Sequence, residues 1–147
     1  MRIGDFLKRS QQQLVTCGPD DSLETAAKLL DTFGIGAMPV RDAEKRMVGI
    51  VSERDLVRCF ANQGFHFLNI RVRDAMTAKV ISCTPDDSMQ AAQTLMRKNH
   101  IRHLPVVEDG NVVGMLSIRD TLAIRLEESE FEINVLRDVV TVGRSLR

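Results

Sequence analysis

The chain contains itself twice, and this constrains its fold more than any other feature. Residues 17–30, CGPDDSLETAAKLL, recur as CTPDDSMQAAQTLM over 83–96. Ile35 through Pro39-Val40 recurs as Ile101 through Pro105-Val106. After a one-residue gap, VGIVSERD (48–55) recurs as VGMLSIRD (113–120). The lead-ins correspond as well, Ile3-Gly4-Asp5-Phe6-Leu7 facing Val72-Arg73-Asp74-Ala75-Met76. Self-similarity at a fixed period marks a supersecondary unit whose copies bury their apolar faces against each other. Two copies make a pseudo-symmetric pair rather than an open solenoid.

Each copy reads as strand-helix-strand-strand-helix, an α+β unit. A short strand (14–17, 80–83) leads into Pro-Asp-Asp-Ser, the start of a helix with an acidic first turn. Leu23, Ala26, Ala27 and Leu30 then fall on one helix face, repeated by Met89, Ala92 and Met96. This face is expected to be core. Apolar runs at 37–41 and 47–51, and at 104–107 and 112–116, read as paired strands. Asp109-Gly110 is a strong hairpin signal, because glycine accepts the positive φ such turns need. The first hairpin, Asp42 to Arg46, is one residue longer and has no glycine. Ser52-Glu53-Arg54-Asp55 and Ser117-Ile118-Arg119-Asp120 each have the S-x-x-D form of a helix-opening capping box.

The expected domain boundaries are 1–68 for the first repeat with its lead-in and linker, 69–127 for the second, and 128–147 for a C-terminal helical extension. Within the linker, Phe65-His66-Phe67-Leu68 reads as an apolar strap on the core, with His66 a surface or packing residue. In the extension, Phe131, Val135, Val139 and Val142 form one stripe and Ile133, Leu136 and Val140 another. Two stripes need two covering surfaces, expected to be the chain's own core and a partner subunit in a two-fold homodimer.

Composition removes several classes of function. The 20 basic and 20 acidic residues balance, and Trp and Tyr are absent, so neither nucleic acid nor an anionic membrane is an expected partner. No segment has the length of a membrane span or the apolar core of a signal peptide. Cys17, Cys59 and Cys83 show no C-x-x-C spacing, so no disulfide framework or metal site is expected, and a reducing cytoplasm is the expected compartment. Cys17 and Cys83, at equivalent positions, read as small buried packing residues. With no nucleophile-base pair, metal-ligand cluster or P-loop, the chain does not read as an enzyme and has no expected catalytic residues.

The order V-x-D-x-M, PDDS, I-x-x-h-P-V and V-G-h-h-S-x-R-D, present in both copies, resembles a tandem pair of cystathionine β-synthase (CBS) domains, often called a Bateman module. The likeness is closest to small stand-alone CBS-pair proteins, which often carry GIGA in the first copy and HIRHLPVV in the second. The resemblance implies two sheets packed back to back, with two clefts between copies for adenosine-containing effectors: AMP, ADP, ATP, NAD or S-adenosylmethionine. It also implies a homodimer, and a client enzyme or transporter that responds to the ligand.

On this resemblance the candidate ligand residues are Ser52, Arg54 and Asp55 in the first copy and Ser117, Arg119 and Asp120 in the second. A helix N-terminus favours phosphate, a serine hydroxyl adds a donor, and an ionised Asp offers two acceptors to the 2′ and 3′ hydroxyls of ribose. The same residues are equally a capping box, and the sequence leaves both readings open. The copies differ at Gly36-Ala37, small and neutral, against Arg102-His103, basic. Gly36 and Ala37 give room for adenine or a close backbone, Arg102 a planar fork for phosphate, and His103 a contribution that varies with pH. The expected function is a nucleotide sensor; the alternative is an interaction protein with degenerate clefts that docks a partner enzyme.

Overall fold

Local chemistry sets the same run of elements twice. In the computed structural model, which describes residues 1–145, the lead-in forms α1 (Ile3–Ser10). The first repeat follows as α2 (Leu23–Phe33), β1 (Ala37–Arg41), β2 (Met47–Ser52) and α3 (Glu53–Gln63). A 3₁₀ turn (Gly64–Asn69) and α4 (Val72–Ala75) lead into α5 (Met89–Lys98), β3 (His103–Glu108), β4 (Asn111–Ser117) and α6 (Ile118–Ser145). Leu146 and Arg147, the end of the expected extension, lie outside the described residues.

The Pro-Asp-Asp-Ser signature works as its chemistry predicts. Ser22 Oγ accepts from the Thr25 amide at 3.1 Å and Ser88 Oγ from the Ala91 amide at 2.9 Å, capping α2 and α5. Asp21 and Asp87 brace the preceding turn by accepting from the Gly18 and Thr84 amides at 2.7 and 2.8 Å. Each such cap stabilises its helix by about 1 kcal/mol.

The sheets are two antiparallel pairs, β1 with β2 and β3 with β4, each with a register shift at the equivalent place, directly after Val40 and Val106. The expected opening strands contract to one bridging residue each. Cys17 and Cys83 pair in parallel with Val40 and Val106, donating to and accepting from the neighbouring strand at 2.8–3.2 Å. Both hairpins use positive φ, Asp109 and Gly110 at 51° and 80°, and Lys45 at 64° in the glycine-free first turn. There Asp42 Oδ1 accepts from the amides of Glu44 and Arg46 and holds the turn instead.

Strand alternation sends Met38 and Val40, and Leu104 and Val106, into two separate helix-backed cores. Ala37, Pro39 and Pro105 point the other way and are buried too, so both faces of β1 are covered. The lead-ins are exchanged between the copies. Ile3 and Phe6 of α1 belong to the second repeat's core, whereas Val72 of α4 belongs to the first's. Main-chain hydrogen bonds fix the exchange: Ile3 to Asp87, Gly4 to Pro85 and Met89 to Met1, mirrored by Val72 to Asp21, Arg73 to Pro19 and Leu23 to Ile70.

Two expectations change. The linker strap is a 3₁₀ turn, whose three-residue period turns Phe67 and Ile70 onto the first core and leaves Phe65 and Leu68 exposed. The extension is one continuous helix, and past Ile124 neither apolar stripe is covered by the chain itself. No described helix is long and apolar enough to cross a membrane.

Candidate functional site

β2 and β4 deliver Ser52 and Ser117 to the N-termini of α3 and α6, where both motifs form reciprocal capping boxes. Asp55 Oδ2 accepts from the Ser52 amide at 2.9 Å, and Ser52 Oγ accepts from the Asp55 amide at 3.3 Å. Asp120 Oδ2 accepts from the Ser117 amide at 2.8 Å, and Ser117 Oγ accepts from the Asp120 amide at 3.2 Å. The capping role is therefore present in both copies, but it uses one oxygen of each carboxylate. Among the described hydrogen bonds Oδ1 of Asp55 and of Asp120 has no donor.

The two motifs differ in one proton. The Ser52 hydroxyl also donates to Asp55 Oδ2 at 3.0 Å, whereas the Ser117 hydroxyl has no described acceptor. Ser117 is thus the one with a donor to offer. Both serines and both aspartates are half-buried, and Arg54, Arg119 and Arg102 are exposed and absent from the described ion pairs.

The half-buried ring of His103 joins the copies. A Cβ placed on Gly36 of the first copy would lie 2.8 Å from His103 Nε2 and 3.3 Å from Glu53 Oε1. The room that Gly36 leaves is therefore filled by the second copy's imidazole. Ala37, the counterpart of His103, is buried and carries only a methyl. The strand ends are held against the motifs by matching hydrogen bonds, the Glu53 amide to the Gly36 carbonyl at 2.9 Å and the Ile118 amide to the Arg102 carbonyl at 2.8 Å. Of the ten predicted residues, Gly36, His103 and Asp120 thus come together. Glu53, which is not among the ten, joins them. Its signal was the third difference between the copies, Glu53 where the second has Ile118.

Burial lowers the pKa of His103; Glu53 and then Asp120 pull it back up, and Arg102 pushes it down. The fold thus favours the neutral ring. The unfolded chain binds this proton as pH falls through about 6.5, while the folded chain binds it only at lower pH. Between those values the unfolded state holds more protons, so stability falls as pH falls and levels off below the folded pKa. His103→Gln should remove this part of the pH dependence in denaturant titrations at pH 7.5 and 5.5. An unchanged difference would take the titration away from His103.

Burial, with a smaller push from Asp21 and Asp87, raises the thiols of Cys17 and Cys83 to about 12, so both stay protonated at neutral pH. Two cavities lie elsewhere. One of about 220 Å³ sits between α5 and α6, lined by Met89, Gln93, Ile124 and Glu128 among others, and one of about 490 Å³ lies along the distal part of α6. None of the ten predicted residues lines either.

The CBS domain family model matches this chain twice, over residues 3–62 and 72–127. The chain is 33% identical over 131 residues to the mitochondrial CBS domain-containing protein CBSX3 of Arabidopsis thaliana, covering 86% of this chain and 64% of that protein. It thus spans under two thirds of that relative's length. A crystal structure of a CBS-domain containing protein from Agrobacterium tumefaciens is 38% identical, with a TM-score of 0.81 over 85% of this chain and 99% of that one. A CBS domain protein from Pyrobaculum aerophilum, crystallised with AMP, is 29% identical, with a TM-score of 0.73 over 82% of this chain and 89% of that one.

Proposed function

The chain belongs to the CBS-domain family, and on that premise we propose that it is a non-catalytic regulatory module whose effector is an adenosine-containing ligand. AMP, ADP, ATP, NAD and S-adenosylmethionine are the candidates. The observation that carries the reading is the meeting of both copies at His103, beside a helix N-terminus and an aspartate with an unused oxygen. A ligand seated there touches both copies. It therefore shifts their relative arrangement to the extent that it binds one arrangement more tightly than the other. Asp120 Oδ1 accepts from a ribose hydroxyl, Ser117 donates to a ligand oxygen, and Arg102 supplies charge to phosphate. The two clefts of the pair are unequal, with phosphate charge concentrated near Arg102 and His103, and a client enzyme or transporter reads the change. AMP in the Pyrobaculum relative supports the ligand class.

The test is calorimetry with AMP, ATP, NAD and S-adenosylmethionine on the wild-type chain and on Asp120→Asn. Asparagine keeps one oxygen for the Ser117 amide but presents an NH₂ donor in place of the free acceptor. Affinity for at least one ligand should fall about tenfold or more while the fold survives. Equal affinity in the variant would leave Asp120 as a cap alone. If no ligand in the panel binds the wild-type chain at millimolar concentration, the sensor reading falls and the docking protein takes its place.

A further inference from the structure

Residues of α6 beyond Ile124 do not touch a core, yet their order is not that of a solvated helix. Leu126, Ile133 and Val140 alternate with Leu122, Ser129, Leu136 and Gly143 at spacings of four and three. This is the heptad repeat of a coiled-coil seam, with β-branched residues at two of three a positions and leucine at two of four d positions, a combination that favours two parallel strands. The rest of the protein attaches chiefly through the opposite side of the helix, although Arg125, Ser129 and Glu132 also line the cavity against α5. Thr121 and Ile124 enter the second core from the c and f positions. Glu127 and Glu128, at b and c, receive Arg9 at 2.7 Å and the N-terminal amine at 3.4 Å. The seam side stays open: Leu122 is 49% exposed, Leu126 61% and Leu136 64%. Ile133, Leu136 and Val140 also line the distal groove.

We propose that α6 from Leu122 onward pairs with α6 of a second copy as a parallel, in-register, two-stranded coiled coil. Charge complementarity selects this occupant and this direction. In a parallel pair each g position faces the e position five residues on in its partner. Here Arg125 faces Glu130 and Glu132 faces Arg137, so both charged pairs attract, twice over by symmetry. None of these four residues has an ion-pair partner among the described residues. An antiparallel pairing that centres the seam from Leu122 to Val140 brings Glu132 against Glu132 of the second copy instead, so like charges repel. The other stripe, through Phe131 and Val135, lies on the outer f and c positions and is outside the seam. The pairing depends on neither nucleotide nor cleft.

The full-length chain should sediment as a concentration-dependent dimer. Leu136→Lys, at an exposed position, should raise its dissociation constant at least tenfold. Glu132→Arg alone and Arg137→Glu alone should each weaken self-association, because each sets like charges across the seam. A mixture of those two variants should recover wild-type affinity as a heterodimer, since its cross pairs attract again. Three results would overturn the proposal: a monomer even at millimolar concentration, a dimer whose affinity Leu136→Lys leaves unmoved, or single variants that the mixture does not rescue. The last would exclude the parallel register in particular.

Discussion

Ile3→Ala is expected to destabilise the second repeat, from which it is distant in sequence, by about 2–5 kcal/mol. Ile3 is fully buried and lies among Cys83, Met89, Met96 and Leu104. Truncation there leaves a cavity in a core that the second repeat does not complete alone. The backbone around it is committed as well, through the bridge of Arg2 with Ser88 and hydrogen bonds of 2.9 Å on either side. Native-state hydrogen exchange reads out the location. Amides of β3, β4 and α5 should lose protection first, ahead of those of β1 and β2. Earlier loss in β1 and β2 would mean that the lead-in serves the repeat it precedes.

The second large effect separates two glycines that the sequence makes equivalent. Gly49 and Gly114 occupy the same place in their copies, and each is covered by an exchanged lead-in. A Cβ on Gly49 would lie 2.9 Å from the Thr77 carbonyl oxygen and within 2.5 Å of Met76 sulfur. Thr77 cannot retreat cheaply, because it exchanges two 2.9 Å hydrogen bonds with Ile50. The three atoms nearest a Cβ on Gly114 all belong to the Leu7 side chain, its methyl groups at 2.8 and 2.9 Å, and that half-buried side chain can change rotamer without breaking a main-chain hydrogen bond. Gly49→Ala should therefore destabilise by about 1–3 kcal/mol, the range for overpacking, and Gly114→Ala by clearly less. Equal losses in denaturant midpoints at unchanged slope would show that the Thr77 backbone yields as readily as a leucine side chain.

Much of this architecture is written locally. The serine caps, the Asp109-Gly110 turn and the alternation in the strands depend on neighbours within a few residues, and the sequence exposes those directly. The S-x-x-D capping geometry was equally legible, though whether its aspartates also serve a ligand depends on a free oxygen that no motif displays. The exchange of lead-ins could not be read, because Ile3 and Val72 present the same apolar pattern whichever copy they cover. The phase of the 3₁₀ turn, which hides Phe67 and exposes Phe65, depends on a period the apolar run does not announce. Glu53 beside His103 was missed because they lie in different copies, and only their packing brings them to Gly36. The uncovered stripes on α6 were visible as apolar residues; that the chain's own core stops at Ile124 was not.

The exchanged lead-ins also bear on how the chain is made. α1 leaves the ribosome before the repeats, but its docking partner around Ser88 is synthesised about 86 residues later. At 5–20 residues per second that is a delay of roughly 4–17 s. During it the side chains of Ile3 and Phe6 have no finished core to enter, while the first repeat waits only for α4 before it closes. Assembly thus proceeds from the middle outward, and an element made before either repeat is among the last to find its place.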